Sequence, residues 1–242
     1  MASALARGLG APLLITDIDA GRASTLAAEV GGEALPSGSE VAARADAVVL
    51  CHKPAQLGEV AASIGTPRAV VSILGGVPVS EVERAYPGLP VFRLIPNIPA
   101  EVRQGVFSYS PGSLAADGPE AEVLERFGAL GPIIRLPDSL VDTGMALMSC
   151  GPAFFALAVE ALVDAGVLHG LQPADAGRMA VETMAGTAAV LREHDLDTAA
   201  LRRRVTSPGG STARGVAALE RGGLRTAFND AVTAVVHPGG QR

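Results

Sequence analysis

The sequence predicts an α/β fold: a doubly wound parallel sheet followed by an all-α segment. Two observations carry this. From Pro12 to about Leu136, short runs rich in Val, Ile and Leu alternate with helical patterns. Runs that are continuously apolar, rather than alternating with polar residues, suit strands covered on both faces. After about Asp138 the strand signals stop and helical periodicity takes over. At 242 residues the chain has room for two domains, here expected over residues 1–137 and 138–242.

The elements follow in order. The strands are expected in "PLLIT", "AVVLC", "AVVSIL", "VFRLI", "GVFSYS" and "IIRL". Between them, "AGRASTLAAEV" and "GPEAEVLERFGAL" place apolar residues at helical spacing with charges opposite, as crossover helices do. In the second half, Ala153 to His169, Pro173 to His194, Leu196 to Val205 and Ser211 to Val236 have helical patterns. Pro173 suits a first helical turn, and Gly170 and Gly209–Gly210 suit helix ends. Stretches such as "PAFFALAVEALVDAG" and "MAVETMAGTAAVL" are apolar nearly all round. Helices of that kind need burial beyond their own small domain, which points to a helical homodimer interface.

Composition narrows the function. Hydrophobic residues make up 48% of the chain, but charged residues are expected to cut each apolar run short of the roughly 18 residues that a membrane span needs. The first residues, "MASALARGLG", lack a signal-peptide core, so the expected location is cytoplasmic, with no membrane partner. A net charge of −6, 3% aromatic residues and no Trp make a poor nucleic-acid surface. Two cysteines, Cys51 and Cys150, give no disulfide framework, and no Cys or His pair has zinc spacing, so no metal is expected. Met145, Met148 and Met184 are most simply core.

The stretch "TSPGGSTARG", Thr206 to Gly215, breaks a helical region with a proline, paired glycines and several hydroxyls. A capped turn between helices accounts for it, with Ser211 or Thr212 as the cap. It is also how a carboxylate or phosphate site is built: glycines let a ligand approach the free amides and positive dipole of a helix start. At the other end of the chain, Asp17 closes the strand "LLIT", where dinucleotide-binding domains place a ribose-contacting acid.

With "A-x-x-x-LE-x-GG" through Leu219, Glu220, Gly222 and Gly223, "TSPGGST" resembles the signature of the pyrroline-5-carboxylate reductase family. "CGPAFFALAVEALVDAGVLHGL" is similar to that family's dimerisation helix, "LIPNIPA" after Arg93 to its Arg-x-x-Pro-Asn-x-Pro segment, and "VVLCHKP" to its strand ending in Lys-Pro. The resemblance implies a Rossmann-like domain followed by an all-α dimerisation domain. It implies an enzyme that reduces 1-pyrroline-5-carboxylate to L-proline by hydride transfer from NADPH or NADH, as a homodimer or a higher oligomer. Ser207, Gly209, Gly210, Ser211 and Thr212 would then bind the substrate, with the Thr212 hydroxyl near the ring nitrogen as the catalytic contact. Asp138 would favour the positive charge of the protonated imine, or else cap the helix that follows it. Asp17, Cys51, His52, Lys53, Pro54, Gly75, Asn97 and Arg204 would line the cofactor. Asp17 favours a free 2′-hydroxyl, and thus NADH; Arg22, Arg204 and the family's usual NADPH weigh the other way. His52 is not expected to transfer a proton.

The chain also departs from the family pattern. The family opens with a strand and a Gly-x-Gly-x-x turn, whereas Met1 aligns just after those glycines, and "ASALARGLG" reads as the helix that follows them. In the order 3-2-1-4-5-6 the first strand belongs between "PLLIT" and "AVVLC". Either the chain starts upstream of Met1 or it is a degenerate relative, a non-catalytic dimer that binds a proline-like carboxylate. Met148-Ser149-Cys150 and Ile98 stand where the family has smaller or more polar residues, which leaves a different cyclic imine open. A 3-hydroxy acid dehydrogenase is disfavoured, because no Lys follows Asp138.

Overall fold

The computed structural model describes residues 1–10 and 12–237. Its contacts divide the chain into two compact units, Met1–Pro152 and Ala153–Arg242.

The first unit runs α1 (Ala2–Leu9), β1 (Leu14–Ile15), α2 (Ala20–Val30), β2 (Glu33–Ala34), α3 (Gly38–Arg44), β3 (Val48–Leu50), α4 (Leu57–Ile64), β4 (Val70–Ser72), α5 (Val79–Ala85), β5 (Val91–Ile95), β6 (Phe107–Pro111), α6 (Glu120–Gly128), β7 (Ile133–Arg135) and α7 (Asp138–Met148). The strands form a β1-β2 pair and a five-stranded sheet in the order β3-β4-β5-β6-β7. Among the described residues no backbone hydrogen bond joins β1 or β2 to β3. Leu14 and Leu35 nevertheless pack into the same core as Val48 and Leu50. The interruption falls where the sequence order puts the family's first strand.

Alternation along the strands separates two cores. On one face Val48, Leu50, Val70 and Val91 pack with Val41 of α3, Leu57 of α4 and Val82 of α5. On the other, Val71, Phe92, Leu94, Phe107 and Tyr109 pack with Leu5 of α1 and Val123 and Phe127 of α6. Helices thus cover both faces. The sheet is not wholly parallel: β6 runs antiparallel to β5. Between those strands the chain has only a short 3-10 helix, Ile98–Val102, and a parallel return needs a crossover of about a dozen residues or more. β2 lacks the apolar run by which strands were expected; both its residues are exposed.

α7 joins the sheet rather than the helices that follow. Arg93 of β5 donates to Asp138 and Asp142 at 2.8 and 2.7 Å, and Asn97 Nδ2 donates to the Met148 carbonyl at 3.1 Å. Ser149 Oγ donates to the Pro96 carbonyl at 2.8 Å. The compact units therefore part after Pro152, later than the change of periodicity at Asp138. Charges do not cut every apolar run short either: an 18-residue window within Asp138–Leu168 has a mean hydropathy of 1.8 and is long and apolar enough to cross a membrane. Its α7 portion is held to the sheet by the ion pairs just described.

The second unit consists of α8 (Gly151–Leu168), α9 (Pro173–Glu193), α10 (Thr198–Arg204), α11 (Ser211–Arg221) and α12 (Leu224–Val236). A single helix was expected over Ser211 to Val236; Gly222 and Gly223 divide it, with Gly223 at φ 78° in the left-handed region that glycine tolerates. Ala176 is the one buried hydrophobic residue among those described here. Phe155, Leu157 and Leu162 are 55%, 65% and 61% exposed, and Met184, expected as core, is 41% exposed.

Candidate functional site

Parallel strands in an open α/β sheet present ligands at their carboxyl ends, and most of the expected cofactor residues lie there. Asp17 follows β1, Cys51 to Pro54 follow β3, Gly75 follows β4 and Asn97 follows β5. Asp17 is exposed; its Oδ1 accepts from the Asp19 amide at 2.9 Å, which aims the carboxylate from the turn before α2. Asp19 in turn caps α2 by accepting from the Gly21 and Arg22 amides, so Arg22 stands one short turn away.

The β3 loop is ordered by its own side chains. His52 Nδ1 lies 2.9 Å from the Lys53 carbonyl, so that nitrogen carries the proton. Nε2 is buried without a partner among the described residues. Lys53 is exposed, and its amide donates to Gln56 Oε1 at 3.1 Å. The Cys51 residue as a whole is exposed, yet desolvation pushes its thiol up to about 11. In either setting the thiol is predominantly neutral at pH 7.

Gly75 sits under α7: a Cβ there would stand 3.0 Å from Met145 Sδ. Asn97 is 6% exposed, and both ends of its amide are engaged, Nδ2 with Met148 O and Oδ1 with the Val106 amide at 2.9 Å. Its side chain braces the loop; what it offers a ligand is backbone. Asp138 is likewise committed. Oδ1 pairs with Arg93, and Oδ2 accepts from the Val79 amide at 3.0 Å. It does not cap α7, whose N-cap is Pro137. Of its two expected roles the helix cap is thus not realised, and its carboxylate joins α7 to the sheet.

In the second unit, α11 starts at Ser211 with Gly210 as its N-cap and no side-chain cap. Neither Ser211 nor Thr212 is the cap, as sequence preference had it. The amides of Ser211, Thr212 and Ala213 have no protein acceptor among the described residues, as the first turn of a helix dictates. Gly209 has φ 70°, and a Cβ on Gly210 would meet Ser207 Oγ at 2.5 Å. Gly209 is thus required by its left-handed backbone, whereas at Gly210, with φ −70°, a Cβ would displace the Ser207 hydroxyl and stand 3.2 Å from the Ser207 carbonyl. Ser207, Gly209, Ser211 and Thr212 are exposed. Arg214, which no sequence motif singled out, donates Nη1 to the Gly209 carbonyl at 2.7 Å and ties the loop to the helix. Arg204 lies in this unit, where its Nη1 meets His194 Nε2 at 3.3 Å. Beside the loop is a hollow of about 200 Å³ lined by Arg202, Arg203, Thr206 and Val216. It contains none of the open amides. No group of three or more His, Cys, Asp or Glu among the described residues could hold a metal.

Loops at the carboxyl ends of parallel strands in one unit and an open helix start in the other are features that a nucleotide-dependent oxidoreductase uses. Comparison with known proteins makes this particular. A family model described as pyrroline-5-carboxylate reductase dimerisation matches residues 138–240. The pyrroline-5-carboxylate reductase of Synechocystis sp. is 37% identical over 202 residues, covering 82% of this chain and 76% of that protein. That of Methanosarcina acetivorans is 34% identical over 212 residues, covering 86% and 78%. Among solved structures, the 1-pyrroline-5-carboxylate reductase of Streptococcus pyogenes has a TM-score of 0.88 at 25% identity, covering 98% of this chain and 93% of the other. The Plasmodium falciparum pyrroline carboxylate reductase, solved with NADP bound, has a TM-score of 0.83 at 26% identity, covering 96% and 90%. The chain belongs to the pyrroline-5-carboxylate reductase family.

Proposed function

We propose that the protein reduces 1-pyrroline-5-carboxylate to L-proline with NADPH or NADH, as a homodimer built through its helical half. The observation that carries the site assignment is the uncapped start of α11, whose open amides follow a left-handed Gly209 and a closely packed Gly210. Amides of that kind bind a carboxylate through short hydrogen bonds and the helix dipole. The Ser211 and Thr212 amides hold the substrate's carboxylate, Ser207 flanks it, and the Thr212 hydroxyl accepts from the protonated ring nitrogen. A protonated imine is already electrophilic, so the chain's contribution is orientation and electrostatic fit.

The cofactor supplies the hydride when bound. Asp17 holds ribose hydroxyls, the buried His52 Nε2 accepts a hydrogen bond, and the backbone of Cys51–Pro54, Gly75 and Asn97 lines the remainder. The fit is good for the nucleoside and nicotinamide parts. For the pyrophosphate, the sequence contains no Gly-x-Gly turn ahead of α1. The exposed apolar residues of α8 and α9 are the surface a second copy covers, as the matched dimerisation domain implies. A cytoplasmic location accords with this substrate.

The test is oxidation of NADPH and of NADH, followed by nicotinamide absorbance, with and without 1-pyrroline-5-carboxylate. Substrate-dependent oxidation with L-proline as product is expected. Nucleotide binding without turnover would leave the chain a binding homologue.

A further inference from the structure

β5 carries an arginine where a central strand ordinarily carries aliphatic residues. Arg93 is 1% exposed. Its register partners are Ser72 on β4 and Ser110 on β6, both buried, and these small side chains leave room for a guanidinium under α7. The helix passes close above: a Cβ on Gly144 would stand 3.7 Å from the Cβ of Ser108.

The guanidinium holds two carboxylates one helical turn apart, Asp138 through Nη1 and Asp142 through Nη2. Each carboxylate also grips the loop after β4: Asp138 accepts from the Val79 amide at 3.0 Å and Asp142 from the Gly76 amide at 3.3 Å. Between those amides and Gly75, the loop has no other polar tie to α7 among the described residues. Arg93 Nε is buried with no partner among the described residues. Burying a cation with an unsatisfied donor is poor design for stability, since ion pairs of this kind are commonly matched or bettered by apolar residues of similar volume. What such a cluster does supply is a fixed geometry. Without the arginine, two like charges on adjacent turns repel and the loop amides lose their anchors.

We infer that Arg93 is a positioning residue for the reductase reaction: through Asp138 and Asp142 it sets the placement of the Gly75–Val79 loop against the nicotinamide end of the cofactor. Arg93 itself touches neither cofactor nor substrate. The inference rests on the proposed role of Gly75 in lining the cofactor.

The test compares wild type with Arg93→Met, Arg93→Lys and Asp142→Asn, using NADPH fluorescence titration, steady-state kinetics for both substrates and thermal melting. In Arg93→Met the NADPH Kd and KM rise about tenfold or more, the order expected from a sub-ångström to ångström misplacement, while the pyrroline KM stays within about twofold. Arg93→Lys, which keeps the charge but reaches only one carboxylate, lies between. Asp142→Asn, at a half-exposed side chain, keeps an acceptor for Gly76 and shifts NADPH binding in the same direction by less. Should Arg93→Met fail to fold, the lysine and asparagine variants decide. Unchanged NADPH Kd in both, or a melting loss with both KM values unmoved, overturns the inference. Wild-type protein that binds NADPH but does not reduce the pyrroline refutes the proposed reaction while the Kd series still judges Arg93; wild type that binds no nucleotide overturns both.

Discussion

Thr212→Ala separates a binding role from a structural one, because the structure assigns Thr212 almost nothing to hold. The residue is exposed at the second position of α11, no side chain caps that helix, and Ala is the better helix former by a few tenths of a kcal/mol. Folding stability is therefore expected to change by less than about 0.5 kcal/mol, as for exposed substitutions generally. The rate is different. A hydrogen bond to a charged group contributes about 1.5–3 kcal/mol, so losing the contact to the protonated ring nitrogen lowers kcat/KM for the pyrroline about 10- to 100-fold. The assay is NADPH oxidation at varied pyrroline, with sizing chromatography to confirm the dimer. NADPH binding is unaffected. Wild-type kinetics in the variant would refute the placement of the substrate at this hydroxyl, and a large fall in melting temperature would show that Thr212 serves the fold instead.

Other outcomes follow from the same geometry. Gly210→Ala has no backbone penalty at φ −70°, but its methyl would meet Ser207 Oγ at 2.5 Å and the Ser207 carbonyl at 3.2 Å; moving that loop raises the pyrroline KM about tenfold, read by the same assay, with NADPH binding unchanged. Tyr86 is buried and its hydroxyl has no partner among the described residues, so Tyr86→Phe stabilises by about 1 kcal/mol at neutral pH, the low end of the cost of an unsatisfied buried group. Burial pushes the Tyr86 phenol up to about 12 from 10. The neutral form is the one the fold favours, so this stability is complete below pH 10 and is lost as pH rises to about 12. Alkaline melts of Tyr86→Phe should accordingly lose less than those of wild type over that range; equal losses would place the alkaline transition elsewhere.

Much of this architecture is written in local sequence. Continuous apolar runs such as "AVVSIL" announce buried strands, and Pro208 with Gly209 and Gly210 announces the helix break. The interruption between β1 and β3 was legible from the family resemblance together with the strand order that it implies. Three things were not. The antiparallel β6 depends on the length of its connection rather than on its own residues. The Gly222–Gly223 break was masked by helical patterns on both sides. The Arg93 cluster joins residues 45 and 49 positions apart, and nothing local distinguishes its carboxylates from caps or solvated charges. Arg214 passed unnoticed because its contact is with a carbonyl, a group no side-chain pattern reports.

The most direct test is a crystal structure of the protein with NADP and L-proline. The account predicts the proline carboxylate about 2.7–3.2 Å from the Ser211 and Thr212 amides, with the nicotinamide ring facing the ring carbon next to nitrogen. Proline bound elsewhere, with only water at the start of α11, would contradict it.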